Sequence, residues 1–468
     1  MKSITQDYQT DKKVSTSIKS FFKKYRISTA LRASNAYKSK GIPVIEIFQY
    51  LFSLIFTNRS MYMNMLMSTN QSGFGKDTVY RFTNSIHINW IRFTTWLSAQ
   101  IINETITKLT DDERVNVLIV DDTLFDRSSS KKIELLAKVY DHAKKAYKNG
   151  FRLLTLGWSD GNTFLPVNGC LLSTENKKNR INEAAAVDKR SVGLWPLSGP
   201  ISVGHARRIL AQTKATTVVL ELIKAAKKAF IPASHVLFDT WFCSPSSLIA
   251  IKEIGYDVIA MAKKTPKMHY LYKGTMQPLT EIYKQNKKRR GRSRYLLSVE
   301  VALIKDGKSI PARIVYVRNK NKRKDYLALI TTDMNINEDE IIRNYGKRWD
   351  IEVFFKVCKS YLKLSRECNS LSYDAMTAHT AIVFTRYMML AVENRHTSDL
   401  RTLGEIFFLV SDELSDITLV QSLHLLMQVF IDTITDKLSM TTEQLDLLFE
   451  AFMAALPREL KGKLLLCA

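Results

Sequence analysis

The segment Tyr345–Lys359, YGKRWDIEVFFKVCK, combines charged and apolar residues in a way that indicates both burial and chemistry. It contains no proline and no glycine after Gly346, so it predicts a single helix. At about 100° per residue, four polar side chains fall within an arc of roughly 60°. They are Tyr345, Arg348, Glu352 and Lys359. Most of the other faces are apolar, and because buried charges need partners, the stripe predicts a site for a metal ion and phosphates.

A simpler interpretation of the same helix is an ordinary solvated face. Arg348 and Glu352 are four residues apart, the spacing of a common surface ion pair. The rest of the chain has to decide between the two interpretations.

The composition predicts a polyanionic partner. The 468 residues include 69 Lys and Arg against 45 Asp and Glu, a formal net charge of +24. The excess is spread along the chain, which is typical of proteins that bind nucleic acid through phosphate contacts. An anionic membrane surface is the competing polyanion, but no basic amphipathic segment stands alone. The apolar runs Val44–Phe56 and Ala381–Val392 are too short to cross a membrane.

The cysteines and histidines give no sign of a metal centre built from sulfur or nitrogen. Five scattered cysteines lack CxxC spacing, which favours a reducing compartment and argues against structural zinc. The first residues lack the apolar core of a signal peptide. We therefore expect a soluble protein of the cytoplasm.

Hydrophobic periodicity divides the chain into four regions and predicts an α/β fold in which a mixed sheet is flanked by helices. The predicted regions are a helical region (1–110), an α/β core (111–262 and 333–370), a β-rich insertion (263–332) and a helical C-terminal region (371–468). Within the first region, Lys76–Phe82 resembles the capped start of a helix that would present Arg81 to DNA. A helical packing domain is the alternative there.

Three acidic positions are typical of a ligand site. An apolar run predicts a buried strand that ends at Asp121 and Asp122. A second such strand, His235–Phe238, ends at Asp239. Strand ends of this kind border the crevice where α/β sheets bind ligands. With Glu352, these carboxylates predict two Mg²⁺ or Mn²⁺ ions, which prefer oxygen ligands, although a single Asp at a strand end is often only a turn or cap residue.

The same residues resemble the DDE transposases of bacterial insertion sequences, in the insertion-sequence-four family with the signature Tyr-x2-Arg-x3-Glu-x6-Lys. The polar stripe matches that spacing in full, and Trp349 follows the arginine as in family members. The motifs Asp-Asp-Thr at 121–123 and Leu-Phe-Asp-Thr at 237–240 are similar to the family's two Asp motifs. The strand-rich insertion is also a family feature, and the likeness covers roughly residues 75–385.

The resemblance implies an RNase H-like core and cut-and-paste transposition, with nicking, a hairpin intermediate and strand transfer at terminal inverted repeats. It implies DNA binding by residues 1–110, catalysis by the α/β core and dimerisation by residues 371–468. It also implies that Asp122, Asp239 and Glu352 hold the two metal ions. Strand parity cannot choose between Asp121 and Asp122, and Asp122 is favoured because it directly precedes Thr123, as in the family. The implied partners are duplex DNA at the ends of the element, target DNA and a second protomer.

The other site residues are predicted to hold DNA. Arg348 would grip a phosphate near the scissile bond with its planar guanidinium. Tyr345 and Lys359 would hold neighbouring phosphates. Trp349 would stack on an unpaired base, and a weaker resemblance gives that role to Tyr326 on the last strand of the insertion.

Two other functions fit the same basic surface. One is a non-catalytic DNA-binding protein, such as a silenced transposase that acts as a repressor. The other is a metal-dependent, structure-specific nuclease, which would need neither inverted repeats nor the insertion. The complete set of three acids and the four signature residues favours the transposase, because a pure DNA-binding protein would be free to lose them.

Overall fold

The computed structural model describes residues 11–56, 61, 73–110, 114–141, 144–186, 202–289, 293–319, 325–396 and 444. Within these ranges the helices are α1 (Asp11–Lys24), α2 (Ile27–Ala33), α3 (Val44–Ser53), α4 (Lys76–Thr83), α5 (Trp90–Ile101), α6 (Val203–Gln212), α7 (Ala215–Lys228), α8 (Pro245–Ile254), α9 (Leu279–Gln285), α10 (Glu338–Gly346), α11 (Trp349–Ser360) and α12 (Tyr373–His396). A π-helical turn, Ile102–Ile106, and a 3-10 turn, Thr107–Leu109, continue α5.

The strands are β1 (Val117–Asp126), β2 (Ala137–Asp141), β3 (Ala146–Ser159), β4 (Phe164–Leu172), β5 (His235–Phe238), β6 (Asp257–Met261), β7 (His269–Tyr272), β8 (Thr275–Pro278), β9 (Tyr295–Lys305), β10 (Lys308–Arg318) and β11 (Tyr326–Thr331). They form one sheet in the order β2-β3-β1-β5-β6-β11-β10-β9-β7-β8, and β4 shares the outer edge of β3 with β2. Of these, β2, β7 and β8 are not predicted by the sequence pattern.

The centre of the sheet is a mixed core. β1 and β5 run parallel, with Val117 opposite His235, and β5 runs parallel to β6. β1 is also antiparallel to β3. The sheet carries helices on its faces, and β5 and the first four residues of β1 are buried. This confirms the predicted α/β, RNase H-like core, and the parallel pairing brings the ends of β1 and β5 to the same edge of the sheet.

The insertion continues this sheet. β11 pairs antiparallel with β6, with Leu329 opposite Met261, and β10 and β9 follow in antiparallel register. In long strands whose burial alternates, every second side chain lies on the covered face of the sheet. Apolar side chains at these positions pack against those of the neighbouring strands, which favours this arrangement.

The hairpin between β3 and β4 forms at the predicted turn. Asp160 Oδ1 accepts hydrogen bonds from the backbone N–H groups of Asn162 and Thr163, at 2.8 and 2.7 Å. Gly161 has φ +88°, a left-handed conformation that glycine adopts without steric cost. The turn lies against Lys347, whose Nζ donates to the carbonyl oxygens of Val115 and Asp160.

Two predicted helices are interrupted. The helix predicted near 204–230 is split into α6 and α7 at Thr213 and Lys214. The single helix predicted for Tyr345–Lys359 is wrong, because α10 ends at Gly346 and α11 begins at Trp349. Arg348 N bonds to Tyr345 O over three residues, and the Lys347 side chain is drawn away to the β3–β4 turn.

The N-terminal helices pack on the core through aromatic side chains. The rings of Phe48 and Phe93 lie 5.3 Å apart in an edge-to-face arrangement, and Phe52 contacts Phe22 in the same way. α12 joins this region to the sheet, since Arg386 donates to the carbonyl oxygen of Phe52 at the end of α3. None of the helices in the described ranges has both the length and the apolar character needed to cross a membrane. Of the C-terminal region predicted to be helical, all but residues 371–396 and Gln444 lies outside the described residues.

Candidate active site

The two neighbouring aspartates of β1 point to opposite faces of the sheet, as successive residues of a strand must. Asp121 Oδ2 accepts a hydrogen bond from Arg348 Nη1 at 3.0 Å. Thr123 shares the face of Asp121, and its Oγ1 lies 2.6 Å from Lys359 Nζ. Both cations belong to the segment around α11, so the face of Asp121 is the one covered by that helix. Asp122 pairs instead with Arg152 of β3.

Arg348 joins the two elements that carry acids. Its second guanidinium nitrogen, Nη2, donates to Glu352 Oε1 at 2.5 Å. The arginine side chain is only 18% exposed and the Asp121 side chain 17%. The Arg348–Glu352 pair is therefore not an isolated surface pair. It includes a carboxylate 227 positions away in the sequence, which supports the interpretation of the stripe as a site.

Asp239 is the third acid and directly follows β5. Its Oδ1 accepts a hydrogen bond from the backbone N–H of Trp241 at 2.8 Å. Its charge is close enough to raise the pKa values of Asp121 and Tyr345. The parallel pairing of β1 and β5 thus brings Asp239 into the neighbourhood of Asp121.

Burial is the main cause of an unusual pKa at Asp121. It raises the pKa of this carboxyl from 3.8 to about 7, and the charges of Asp122 and Asp239 act in the same direction. The backbone N–H of Asp122 and the Arg348 guanidinium oppose the shift. A cation near Asp121 would offset both the desolvation and the repulsion between the carboxylates.

The donor set fits a hard divalent cation in its chemistry, because its ligands would all be carboxylate oxygens. In the described ranges, however, no three His, Cys, Asp or Glu side chains converge closely enough to share one ion. Next to α11, two of the acids do not meet directly, because the Arg348 guanidinium lies between Asp121 and Glu352.

The other signature residues surround this cluster. Burial raises the pKa of Tyr345, and the Arg348 charge beside it acts in the opposite direction. Burial also lowers the pKa of Lys359, while the charges of Asp141 and Asp126 raise it. Both side chains are therefore held largely out of water.

Two predicted DNA-binding residues are exposed. Trp349 is 62% exposed at the start of α11. Arg81 lies in the last turn of α4, where its Nε donates to the carbonyl oxygen of Asp77 at 3.2 Å. It lies near a second cation, because its charge contributes to lowering the pKa of Lys38. The structure shows no contact between Arg81 and the acids in the described ranges.

Tyr326 is not available for base stacking. It is 9% exposed, its ring stacks on Tyr283 with centroids 4.1 Å apart, and Lys264 Nζ lies 3.9 Å from its ring centroid. The strand was predicted correctly, but the insertion packs this side chain into its own core.

Sequence reasoning missed two residues that lie beside the acids. Arg152 pairs with Asp122, and its guanidinium carbon lies 4.8 Å from the ring centroid of Trp241. The signal for Trp241 was its position two residues after Asp239. Once the register of β1 and β3 is known, the alternation of side chains along β3 predicts that Arg152 lies on the same face of the sheet as Asp122.

Comparison with known proteins gives the family. Residues 47–313 match the family described as DDE superfamily endonuclease. The match spans more than half of the chain, so the chain belongs to this family. It includes Asp121, Asp122 and Asp239 and ends before α11, so it leaves Glu352 and the signature stripe untested. No curated protein matches the sequence.

Proposed function

We propose that this DDE endonuclease is a transposase that cuts DNA at the terminal inverted repeats of an insertion sequence and joins the ends to target DNA. The observation that carries the proposal is the meeting of Asp121, Arg348 and Glu352 beside Asp239. Family membership supports an endonuclease of the transposase type. The net charge of +24 supports a polyanionic substrate.

The proposed metal ligands are Asp121, Asp239 and Glu352. We propose Asp121 in place of Asp122, which the family resemblance favoured. Asp121 shares a face with the contacts to α11, and Asp122 is engaged by Arg152. These residues would hold two Mg²⁺ or Mn²⁺ ions, which would supply activation of a water or a 3′-hydroxyl and stabilisation of the leaving oxygen.

Arg348 would have two roles, pairing with carboxylates and binding phosphate. Its guanidinium pairs with the carboxylates of both Asp121 and Glu352. If a divalent ion held by those carboxylates took over this pairing, the planar guanidinium would be free to bind two phosphate oxygens. Lys359 and Tyr345, which flank it, would hold adjacent phosphates, and Trp349 would stack on an exposed base.

The assembly is part of the same proposal. Cutting both ends of an element requires two active sites, so we expect two protomers on paired ends, with the hairpin intermediate formed at each. A helical N-terminal region carrying Arg81 would contribute duplex contacts outside the acid cluster.

The test uses the DNA that flanks the reading frame as the probe. The full-length protein should nick this duplex at the boundary of an inverted repeat in Mg²⁺ or Mn²⁺ and should bind it without metal. Glu352→Gln preserves volume and helix but removes a charge, so binding should persist while nicking stops.

Three outcomes would contradict the proposal. Nicking by Glu352→Gln at the wild-type rate would remove the acid cluster from the chemistry. Cleavage that depends on DNA structure and ignores the repeats would favour a structure-specific nuclease. Binding without any metal-dependent cleavage would favour a repressor.

A further inference from the structure

An exposed tryptophan stands next to Asp239, one of the proposed metal ligands. Trp241 is 53% exposed, whereas Trp90 and Trp158 are buried. Its backbone N–H donates to Asp239, which fixes the start of its side chain beside that carboxylate. Large aromatic rings stabilise a protein most when they are buried, so an exposed one at this position indicates a binding role.

One face of the Trp241 ring contacts a charged residue. The Arg152 guanidinium lies over it at 4.8 Å, within the range of a cation–π contact. Arg152 is held in turn by its pair with Asp122. We call Trp241, Arg152 and Asp122 the tryptophan platform. Its members come from β1, β3 and the segment after β5, so three elements of the core hold the ring in place.

We propose that the tryptophan platform stacks on an unpaired nucleobase of the bound DNA strand where that strand passes Asp239 at the edge of the sheet. This rests on the proposed function for the identity of the partner, and it assigns a contact beyond the signature stripe. The ring itself is neutral, and the nearest cation is already paired with Asp122, so the platform suits a flat base better than a phosphate. Every base presents a π face, which makes such a contact tolerant of sequence.

The geometry also explains why the base must be unpaired. In a duplex both faces of a base are covered by its neighbours, and stacking on a protein ring requires that base to leave the helix or to lie at an end. A ring that is already held by Arg152 loses little freedom on binding, which favours the contact.

The experiment compares two probes that differ only in their bases. Each is the same short duplex with a single-stranded overhang, which carries thymines in one probe and abasic sites in the other. Affinities of the full-length protein are measured by fluorescence anisotropy in EDTA. The wild type should prefer the thymine overhang by on the order of tenfold. Trp241→Ala should remove most of this preference and leave only what the proposed Trp349 contact supplies. Trp241→Phe should keep most of it.

Further variants separate stacking from charge and from folding. In Arg152→Lys the lysine can still pair with Asp122, but it has no planar group to lie flat against the ring. This variant should therefore retain an intermediate preference for the thymine overhang. Phe230→Ala is the matched control, because Phe230 is an 85% exposed aromatic that precedes β5 and so lies towards its opposite end. It should keep the full preference. Trp241→Ala should leave the salt dependence of binding unchanged, since no phosphate contact is removed.

The outcomes distinguish this inference from the proposed function. Retention of the full thymine preference by Trp241→Ala, or equal losses on both probes, would overturn the platform. A wild type that binds both probes equally would overturn it as well, whatever the enzyme cleaves. A wild type that shows the preference, loses most of it in Trp241→Ala and yet cleaves no DNA would support the platform and refute the transposase.

Discussion

Replacing Asp121 with asparagine should stabilise the metal-free protein above neutral pH. The Asp121 carboxyl is 17% exposed, and burial raises its pKa from 3.8 to about 7 even with Arg348 beside it. An amide of the same shape has no charge to desolvate. The variant therefore removes the unfavourable burial of a carboxylate and keeps the volume of the side chain.

The sign and size follow from proton binding. The folded protein retains the Asp121 proton to a higher pH than the unfolded chain does, so the wild type loses stability as the pH rises from about 4 to 7. The difference between 3.8 and about 7 corresponds to on the order of 4 kcal/mol. Because the side chain keeps some solvent contact, the stability of Asp121→Asn relative to the wild type should grow by about 1 to 4 kcal/mol as the pH rises from 4 to 8.

Urea unfolding of the wild type and Asp121→Asn at several pH values in EDTA measures this difference directly. Asp306→Asn is the control, because Asp306 is an exposed carboxylate in a turn, and its replacement should change stability by less than about 0.5 kcal/mol at each pH. A stability difference between Asp121→Asn and wild type that does not grow with pH would refute the account of a buried, crowded carboxylate. When Mn²⁺ replaces EDTA, the ion should stabilise the wild type more than the variant, because the variant lacks a proposed metal ligand.

Two further predictions concern arginines. Arg348→Lys should lower cleavage far more than DNA affinity, because a point charge cannot replace a planar fork and because one phosphate contact among many contributes only on the order of 1 kcal/mol. Parallel nicking and anisotropy assays measure the two effects, and an equal fall in both would indicate a structural role. Arg208→Met should destabilise the fold by about 3–5 kcal/mol in urea unfolding, since Arg208 is buried between Glu134 and Asp374. A loss below about 1 kcal/mol would show that the two carboxylates are satisfied without it.

Local sequence pattern predicted the parts of the fold that depend on near neighbours. β5 has the bounds that its apolar run predicts, and the β3–β4 turn forms at its Asp-Gly pair. Helix continuity was harder to predict. At the break before α11, Lys347 donates to the carbonyl oxygens of Val115 and Asp160, contacts that are distant in the sequence.

Local sequence pattern likewise predicted only part of the candidate site. The strand of Asp121 and Asp122 was predicted, and alternation requires that only one of them faces α11. The choice depends on the Arg348 contact 227 positions away, which no local pattern contains. Tyr326 likewise lies on a correctly predicted strand, but its role depends on Tyr283, a residue from a different element that covers its ring.

The most direct test of the account compares Asp121→Asn with Asp122→Asn in Mn²⁺-dependent nicking of the flanking inverted-repeat DNA. Asp121→Asn should bind the DNA and leave it intact, because a proposed metal ligand is lost. Asp122→Asn should retain substantial nicking, since Asp122 holds Arg152 rather than the cluster around Arg348. An active Asp121→Asn beside an inactive Asp122→Asn would contradict the assignment of the metal ligands made here.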